Sequence, residues 1–427
     1  MSGADWLPEV PRHWAICPLG FRYEVQLGKM LNPDAAAGEH PAPYLRNTDV
    51  QWGRINTDDL PLMSFDAKER AKFALRAGDL LVCEGGDIGR AAEWKGELVE
   101  CFYQKALHRV RPLRTTEVTR FFYFVLAAAS WRGAFLAEGN RSTIVHLTAE
   151  KLRAMRFPFP PYQEQRAIAD FLDRKTAAID ALIEKKELLL QVLAEKKVGA
   201  ASMLALKGLR SDAPTKDSGI PSIGRVPAHW RVQRAKTQFR EFTERAGDSD
   251  LELLTVSHIT GITPRREKPD VTMFLAESAE ANKVCRRDDL VVNTMWAWMG
   301  AAGVAPCDGM VSPSYNVYRL RHPHEVEPRF FDLLFRAPPF VAEMNRLSKG
   351  ITASRLRLYP EALLNMRLML PPKGEQTAIL EAVERLTARD VVEARRLQQS
   401  VKLLREYRLA IITAAVTGQL DVTREAA

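Results

Sequence analysis

Apolar residues recur at heptad spacing in the stretch 163–206. They fall three, four or seven residues apart, and lysines fill heptad positions left between them. The apolar positions are Ile168, Leu172, Ile179, Leu182, Leu189 and Leu193, and the lysines are Lys175, Lys186 and Lys196. No proline interrupts the stretch, and Pro160-Pro161 precedes it. The pattern predicts one amphipathic helix, roughly 60 Å long at about 1.5 Å per residue.

A second stretch, 375–417, has the same character. Its apolar positions are Ile379, Val383 and Leu386, then Leu397, Val401, Leu404 and Ile411. Asp390 interrupts this seam between the two groups. Helices of this length exceed what a compact domain needs, which favours a coiled-coil spacer in which they pack on each other. The alternative is that each helix packs on its own globular domain.

The rest of the chain has shorter apolar runs, typical of mixed α/β domains. The patterns predict strands at 80–83, 106–110, 290–292 and 316–320, and helices at 121–126 and 330–335. The stretch 207–224 is rich in Gly, Ser, Pro and Asp, which is typical of a linker. We therefore expect four segments: a globular domain at 1–160, a helix at 161–207, a second globular domain at 208–370 and a final helix at 371–427.

The two globular segments are copies of one another. Val-Pro-Arg-His-Trp at 10–14 recurs as Val-Pro-Ala-His-Trp at 226–230, and Pro-Pro-x-x-Glu-Gln at 160–165 recurs at 371–376. A shift above 200 residues is too long for a solenoid and indicates a duplicated domain. The ends of the copies agree and the middles diverge. This favours a common scaffold carrying two different surfaces, with simple drift after duplication as the alternative.

Composition limits the possible functions only mildly. The net charge of +8 permits nucleic-acid binding without requiring it. The cysteines are scattered without a Cys-x-x-Cys pair, which is typical of reduced thiols; they are Cys17, Cys83, Cys101, Cys285 and Cys307. The sequence shows no signal-peptide pattern and no apolar run near the ~20 residues of a membrane span, so we expect a cytoplasmic protein.

No catalytic motif stands out. Gly28-Lys29 is followed by Met30 and lacks the upstream glycine of a phosphate-binding loop. No His-Glu-x-x-His occurs, and Phe159 stands where an amino-methyltransferase motif would need Asn or Asp. We expect no catalytic residue and no metal site in this chain.

The segment 160–197 resembles the central conserved region of the specificity subunits of type I restriction-modification enzymes. The matching runs are Glu-Gln-Arg-Ala-Ile-Ala-Asp-Phe-Leu-Asp at 164–173 and Ile-Asp-Ala-Leu-Ile-Glu-Lys-Lys at 179–186. The segment 216–230 resembles the start of the second target-recognition domain of that family, and 413–418 resembles its closing helix. The matching motifs cover about a quarter of the chain, whereas the layout covers nearly all of it.

The resemblance implies an α+β fold. Two mixed α/β target-recognition domains are joined by two long helices that form an antiparallel coiled coil, in a pseudo-twofold internal repeat. It also implies a non-catalytic subunit that reads a bipartite, asymmetric site in double-stranded DNA. The helices set the gap between the half-sites and dock two methyltransferase subunits, and restriction-translocase subunits join them. S-adenosylmethionine, ATP and Mg²⁺ are bound by these partners, with no cofactor in this chain and no membrane partner.

Residues that contact DNA are expected in the divergent loops, because base edges and phosphates are contacted by basic, amide and hydroxyl side chains. In the first domain the candidates are Arg54, Arg90, Gln104, Lys105, Asn140, Arg141 and Ser142. In the second domain they are Arg265, Arg266, Asn293, Trp296, Trp298, Ser314, Tyr315, Lys349, Thr352, Ser354 and Arg355. Solvated surface charge is the alternative for the basic residues, and core packing is the alternative for the tryptophans.

Two other functions remain open from the sequence. A self-contained enzyme would need a cofactor or nuclease motif. A coiled-coil interaction protein without sequence-specific DNA binding would show no salt-sensitive, sequence-selective affinity for DNA.

Overall fold

The computed structural model describes residues 6–31, 39–135, 146–247, 249–267, 281–350 and 356–422. Internal contacts divide the chain into two compact units. Unit 1 consists of Met1–Glu187 with Gln399–Ala427, and unit 2 consists of Leu188–Gln398. The two predicted helices are confirmed to within two residues at each end: the central helix is Tyr162–Lys207 and the terminal helix is Lys373–Val416. Each long helix therefore contributes to both units.

Unit 1 is built around an antiparallel sheet with the strand order β2-β10-β7-β8. A pair β1·β11, a pair β4·β5 and a sheet β6-β3-β9 accompany it. The strands are β1 Ala15–Pro18, β2 Tyr23–Leu27, β3 Pro41–Leu45, β4 Val50–Gln51, β5 Arg54–Ile55, β6 Leu62–Ser64, β7 Leu80–Cys83, β8 Ala91–Glu93, β9 Phe102–Tyr103, β10 Leu107–Pro112 and β11 Arg156–Phe159. The short helices are Ala67–Phe73, Thr119–Trp131 and Ala149–Ala154, with 3-10 turns at Leu19–Phe21 and Asn47–Asp49.

Unit 2 repeats this plan with the strand order β15-β22-β19-β20 and a pair β14·β23. Three further pairs are β12·β13, β16·β17 and β18·β21. The strands are β12 Thr215–Asp217, β13 Arg225–Pro227, β14 Arg231–Arg234, β15 Phe239–Phe242, β16 Leu254–Ser257, β17 Gly261–Pro264, β18 Lys283–Cys285, β19 Leu290–Asn293, β20 Ala302–Val304, β21 Gly309–Val311, β22 Tyr315–Leu320 and β23 Arg367–Leu370. The short helices are Pro328–Arg336, Pro338–Leu347 and Pro360–Asn365, with 3-10 turns at Ala235–Thr237, Arg265–Glu267, Ala297–Met299 and Pro323–Glu325.

The register of the two sheets fixes which residues are equivalent. Leu80 lies opposite Val110, and Leu290 lies opposite Tyr318. Arg111 in unit 1 is therefore the counterpart of Arg319 in unit 2. Aligning the sequences by their arginines alone would pair Arg319 with Arg109, which is wrong by two residues. A shift of two keeps the same face of a strand, so the apolar pattern could not reveal it.

The two helices pack antiparallel on each other within each unit. In unit 1, Arg408 donates to Asp180 at 2.8 Å and Arg405 pairs with Glu187, so residue numbers rise along one helix as they fall along the other. In unit 2, Lys196 Nζ lies 3.0 Å from the carboxylate of Asp390. The expected antiparallel coiled coil is confirmed, and the residue that interrupts the sequence seam is one member of this ion pair.

Each helix also packs on a globular domain, so both packing modes proposed from the sequence coexist. In unit 1, the first half of the central helix and the last turns of the terminal helix share one core with the globular domain. Ile168 and Leu172 lie there with Ile412 and Val416. In unit 2 the shared core is formed by the last turns of the central helix and the first turns of the terminal helix. It includes Leu204, Leu206, Ile379 and Val383.

The seam of the central helix follows the prediction at Ile168, Leu172 and Ile179 and differs from it at Leu182 and Leu189. Thr176 and Ile183 are buried, whereas Leu182 and Leu189 are exposed. Two phases of the heptad repeat fit the sequence of this stretch. The prediction used the phase that places more leucines on the seam. The observed phase includes a threonine whose hydroxyl bonds to the carbonyl of Leu172 at 2.7 Å, so a polar residue lies on the seam without an unpaired group.

The stretch 207–224, predicted as a linker, is packed rather than loose. Ile220 and Ile223 are buried in the core of unit 2, and the Ser218 hydroxyl accepts the backbone N–H of Ile220 at 3.1 Å. Gly208 ends the central helix with a φ of 75°, a left-handed conformation that favours glycine. The polar composition of this stretch therefore reflects turn chemistry and not mobility.

Candidate nucleic-acid interface

Several of the described divergent segments of each unit meet at one end of its four-stranded sheet. In unit 1 this end is where β7 stops and β10 begins: the Glu84 N–H donates to Ala106 at 3.0 Å, and the Leu147 N–H donates to Glu84 at 2.9 Å. Unit 2 repeats the second bond, since the Leu358 N–H donates to the Thr294 carbonyl at 3.2 Å. We call this end of each sheet its reading edge. It joins the β7–β8 or β19–β20 loop to the segment that precedes the long helix.

Three predicted residues lie at or near the reading edge of unit 1. Gln104 and Lys105 form the turn before β10, where Lys105 is exposed and its N–H donates to the Lys29 carbonyl at 2.6 Å. Arg90 closes the β7–β8 loop and donates to the Asn47 carbonyl at 2.9 Å. The Asn47 side chain in turn donates to the carbonyl of Gly85 at 3.1 Å. This loop is therefore fixed by hydrogen bonds before any ligand is present.

Arg54 lies apart from these residues. It is exposed on β5, in the short hairpin with β4 that packs against β8. Next to it, Gly53 has a φ of 69°, and a Cβ at that position would lie 2.9 Å from the Tyr123 hydroxyl. The hairpin thus approaches the helix Thr119–Trp131 closely at Gly53, where any other residue would be strained.

The reading edge of unit 2 brings five predicted residues together. Asn293 and Tyr315 face each other in the register of β19 and β22. Trp296 and Trp298 lie in the loop that follows β19, and exposed Ser314 precedes β22. The Thr294 hydroxyl donates to the carbonyl of Ser314 at 2.8 Å, which ties the two loops to each other.

Not all of these side chains face solvent. Asn293 is buried, and its Oδ1 accepts the N–H of Met295 at 3.2 Å, so it shapes the loop from within. Tyr315 is also buried, and burial raises the pKa of its hydroxyl, an effect that the charge of Arg265 partly offsets. The contribution of these two residues to DNA binding stays a prediction, and their placement favours support of the loops.

The other described candidates of unit 2 are Arg265, Arg266 and Lys349, and the first two lie in the 3-10 turn that follows β17. Arg266 is exposed and pairs with Glu252. Lys349 is exposed and exchanges two backbone hydrogen bonds with Arg357, each 2.9 Å long. Six candidates lie outside the described residues: Asn140, Arg141, Ser142, Thr352, Ser354 and Arg355.

Sequence reasoning missed two histidines near these edges. His258, in the β16–β17 turn, stacks on Trp296 with the ring centroids 6.4 Å apart. His146 lies against Gly85 in unit 1, where a Cβ would be 3.4 Å from its Nδ1. Only their positions in the sequence could have identified them. His146 directly precedes Leu147, which bonds to Glu84, and His258 lies in the tight turn between the strands β16 and β17.

Burial shifts the pKa of several ionisable groups in both units. Burial lowers the pKa of His108, whose Nε2–H donates to the Leu147 carbonyl at 2.7 Å. Burial also lowers the pKa of Lys283, which donates to the Tyr315 carbonyl at 2.6 Å. It raises the pKa of the thiols of Cys101 and Cys285 to about 12, so neither sulfur is a nucleophile near neutral pH.

The described residues contain no group of three or more His, Cys, Asp or Glu side chains that could hold a metal ion. All five cysteines are free thiols. Among the helices within the described ranges, none is both long enough and apolar enough to pass through a membrane.

The sequence of this chain is similar to those of known proteins. A family model described as the type I restriction modification DNA specificity domain matches residues 25–191. The chain is 24% identical over 396 residues to the type I restriction enzyme EcoBI specificity subunit of Escherichia coli, a match that covers 88% of this chain and 80% of that protein. It is also 24% identical over 230 residues to the putative type I restriction enzyme MjaX specificity subunit of Methanocaldococcus jannaschii, with 52% of each chain covered.

A solved structure described as the basis of complex assembly and conformational transition of the type I R-M system has a similar fold. The TM-score is 0.59 at 16% identity, and the match covers 97% of this chain and 100% of that chain. The likeness therefore extends over both units and both long helices.

Proposed function

We propose that this chain is a specificity subunit of a type I restriction-modification system, in which each unit reads one half of a bipartite, asymmetric site in double-stranded DNA. One observation carries the proposal. The two units share strand order, helix contacts and the hydrogen bond at the reading edge, yet the loops at that edge differ in chemistry. Two readers of the same build and different loop composition suit two half-sites of different sequence.

The loops supply suitable groups for this task. Lys105 and Lys349 are exposed at their edges, where ammonium groups meet phosphates. Arg54 and Ser314 are exposed as well and carry donors of the kind that reach base edges. The fixed backbone of both loops lowers the entropy cost of binding, because little ordering remains to be done.

The long helices are proposed to dock two methyltransferase subunits and to set the spacing between the half-sites. Large apolar side chains on the helices of unit 2 stay exposed; they are Leu188, Leu189, Val192, Val198, Met203, Leu386 and Val392. In unit 1, Leu182, Leu403 and Tyr407 are exposed in the same way. Apolar surface of this kind is typical of a protein-binding surface. A protein partner therefore accounts for side chains that the seam leaves uncovered.

Catalysis is proposed to lie in those partners. The methyltransferase subunits would bind S-adenosylmethionine and methylate adenine at N6 after flipping it from the duplex, and restriction-translocase subunits would use ATP and Mg²⁺. This chain would contribute sequence selection and assembly. A coiled-coil interaction protein without sequence-specific DNA binding is not favoured, since such a protein has no need of two differently equipped reading edges.

Methylome sequencing tests the proposal directly. The host is compared with a strain that lacks this gene and with that strain after complementation. We expect N6-methyladenine to disappear at one gapped, bipartite motif and to return on complementation. If methylation is unchanged while the chain still co-purifies with a methyltransferase, the DNA-reading role is wrong. Loss of several unrelated motifs would likewise contradict a single bipartite site.

A further inference from the structure

Three aromatic rings form a stack at the reading edge of unit 2. His258 and Trp296 are nearly parallel, 11° apart, and Trp296 and Trp298 are 15° apart with centroids 6.3 Å from each other. Parallel, offset rings at this spacing attract one another. The stack joins the β16–β17 turn to the β19–β20 loop, so two loops from different hairpins present one surface.

Hydrogen bonds hold this stack in place. The Trp298 indole N–H donates to the carbonyl of Met295 at 3.0 Å, which fixes the outer ring to its own loop. On the other side, Arg336 donates to the carbonyl of Ile259 at 2.6 Å, and the Ile259 N–H donates to the Ser257 hydroxyl at 3.2 Å. The surface is therefore rigid before it meets a ligand.

The apolar surface is nevertheless open to solvent. Trp296 is 47% exposed and Ile259 is 70% exposed. An exposed loop that only needed to be ordered would not require an indole and an isoleucine facing water. Rigid, exposed apolar side chains beside polar ones are typical of a binding surface.

Unit 1 carries no such stack in the corresponding loop. Its β7–β8 loop contains Gly85, Gly86 and Asp87, and the Trp52 indole N–H donates to the Asp87 carboxylate at 2.9 Å. The same position thus presents glycine backbone and a carboxylate in unit 1, and aromatic carbon in unit 2. The two reading edges differ in polarity as well as in sequence.

We propose that the edge of Trp296, with its stacked neighbours, recognises the C5-methyl group of a thymine in the half-site that unit 2 reads. This inference rests on the proposed function. Thymine's methyl is the apolar group at the major-groove edge of a base pair, where an apolar side chain can discriminate it. Trp296 already stacks on His258 and Trp298, so a base that stacked on it would compete with those rings. Ser314, whose carbonyl accepts the Thr294 hydroxyl, and exposed Lys349, whose backbone bonds to Arg357 next to Leu358, would supply the polar contacts that flank such a methyl contact.

The test exchanges thymine for deoxyuridine, which removes only the methyl group. Duplexes carry the methylated motif with the exchange in one half-site at a time, and the complex of the full chain with its methyltransferase partner is titrated at fixed salt. We expect the Kd of the wild-type complex to rise about fourfold for one half-site only, the effect of withdrawing a single methyl contact. In the Trp296→Ala complex the same exchange should change the Kd by less than about twofold.

Two further variants sharpen the test. Phe21→Ala removes an exposed aromatic ring from unit 1 and should keep the fourfold sensitivity. His258→Ala leaves Trp296 in place but removes one stacking neighbour, and should reduce that sensitivity. The proposal is overturned if wild-type binding ignores the exchange in both half-sites, or if Trp296→Ala and His258→Ala respond like the wild type. If the wild-type complex does not prefer the motif over a scrambled duplex, the proposed function itself fails.

Discussion

The Trp14 indole N–H donates to the Glu164 carboxylate at 2.9 Å, so the start of unit 1 is tied to the first turn of the central helix. His13 Nε2 lies 3.0 Å from the second carboxylate oxygen. The second copy repeats the arrangement with Trp230, His229 and Glu375. A carboxylate in the first turn also interacts favourably with the helix dipole. The motif that revealed the duplication is therefore a clamp on the first turn of each long helix.

Glu164→Ala should lower the free energy of unfolding of unit 1 by about 1–3 kcal/mol, because the Trp14 indole loses a charged acceptor. Denaturant unfolding gives the size of the effect, and hydrogen exchange by mass spectrometry gives its location. Glu375→Ala is the matched variant and should loosen unit 2 instead. Equal loosening of both units by either variant would contradict independent clamps.

A buried aspartate is bridged by an arginine in each sheet. Arg111 donates to both oxygens of Asp79 at 2.6 and 2.7 Å, and Arg319 donates to both oxygens of Asp289 at 2.9 and 2.8 Å. Arg111→Met should destabilise unit 1 by about 3–5 kcal/mol, since it leaves a buried carboxylate unpaired. Equilibrium unfolding should show that adding Asp79→Asn recovers part of the loss. A double variant as unstable as the sum of the single ones would refute this explanation.

His108 should make the stability of unit 1 depend on pH. Its Nε2–H donates to a carbonyl, its Nδ1 is buried without a partner, and burial lowers its pKa below the ordinary 6.5. The unfolded chain therefore binds a proton at higher pH than the folded chain does. The contribution of neutral His108 is complete above about pH 6.5 and is lost as the pH falls through the lowered pKa.

The counterpart of His108 in unit 2 is Asn316, since both lie opposite equivalent valines, Val82 and Val292. His108→Asn should flatten the fall in Tm of unit 1 between about pH 7 and pH 5. Differential scanning calorimetry across that range measures it. An unchanged slope in the variant would assign the acid sensitivity to other groups.

The last turns of the terminal helix should be essential for unit 1. Ile412 is 1% exposed in the core of that unit, and Ile412→Ala should cost about 2–5 kcal/mol. Leu403→Ala, nine residues earlier on the same helix, is the control, because Leu403 is 55% exposed and its loss should cost less than about 0.5 kcal/mol. Hydrogen exchange should rise in the globular domain of unit 1 for the first variant alone.

The exposed apolar residues of the central helix should matter for assembly and not for folding. Leu189→Asp should weaken co-purification of a methyltransferase subunit at least tenfold, since it places a charge on the proposed contact surface. Gln191→Asp adds the same charge on an exposed polar position of the helix and should leave assembly intact. If Leu189→Asp lowers the Tm of the isolated chain, the side chain has a packing role that this structure does not show.

The sequence predicts the repeated scaffold better than the register within it. Both long helices and the strands around Leu80 and Leu290 follow from apolar spacing, because burial on one face imposes that spacing. The phase of the helix seam does not follow, since a polar residue, Thr176, is buried on it with its hydroxyl bonded to the Leu172 carbonyl. Asp390 pairs with Lys196, which lies on the other long helix and is remote in the sequence.

The reading edges were predicted only in part. Trp296 and Ser314 could be selected as candidates by residue type and position. Whether a side chain faces solvent depends on the loop backbone, so Asn293 and Tyr315 could not be told apart from exposed residues. His258 was missed because its ring meets Trp296 from a different hairpin, a contact that no local pattern encodes.

Each long helix is divided between the two units, and this division affects how the chain can fold while it is being synthesised. Ile411, Val416 and Val422 belong to the core of unit 1, yet they are synthesised after every residue of unit 2. Unit 2 is one uninterrupted stretch, Leu188–Gln398. At about 5–20 residues per second, the first part of unit 1 waits on the order of 10–40 s for the helical segment that completes its core. A nascent chain stalled directly after Gln398 therefore contains all of unit 2 but lacks part of the core of unit 1.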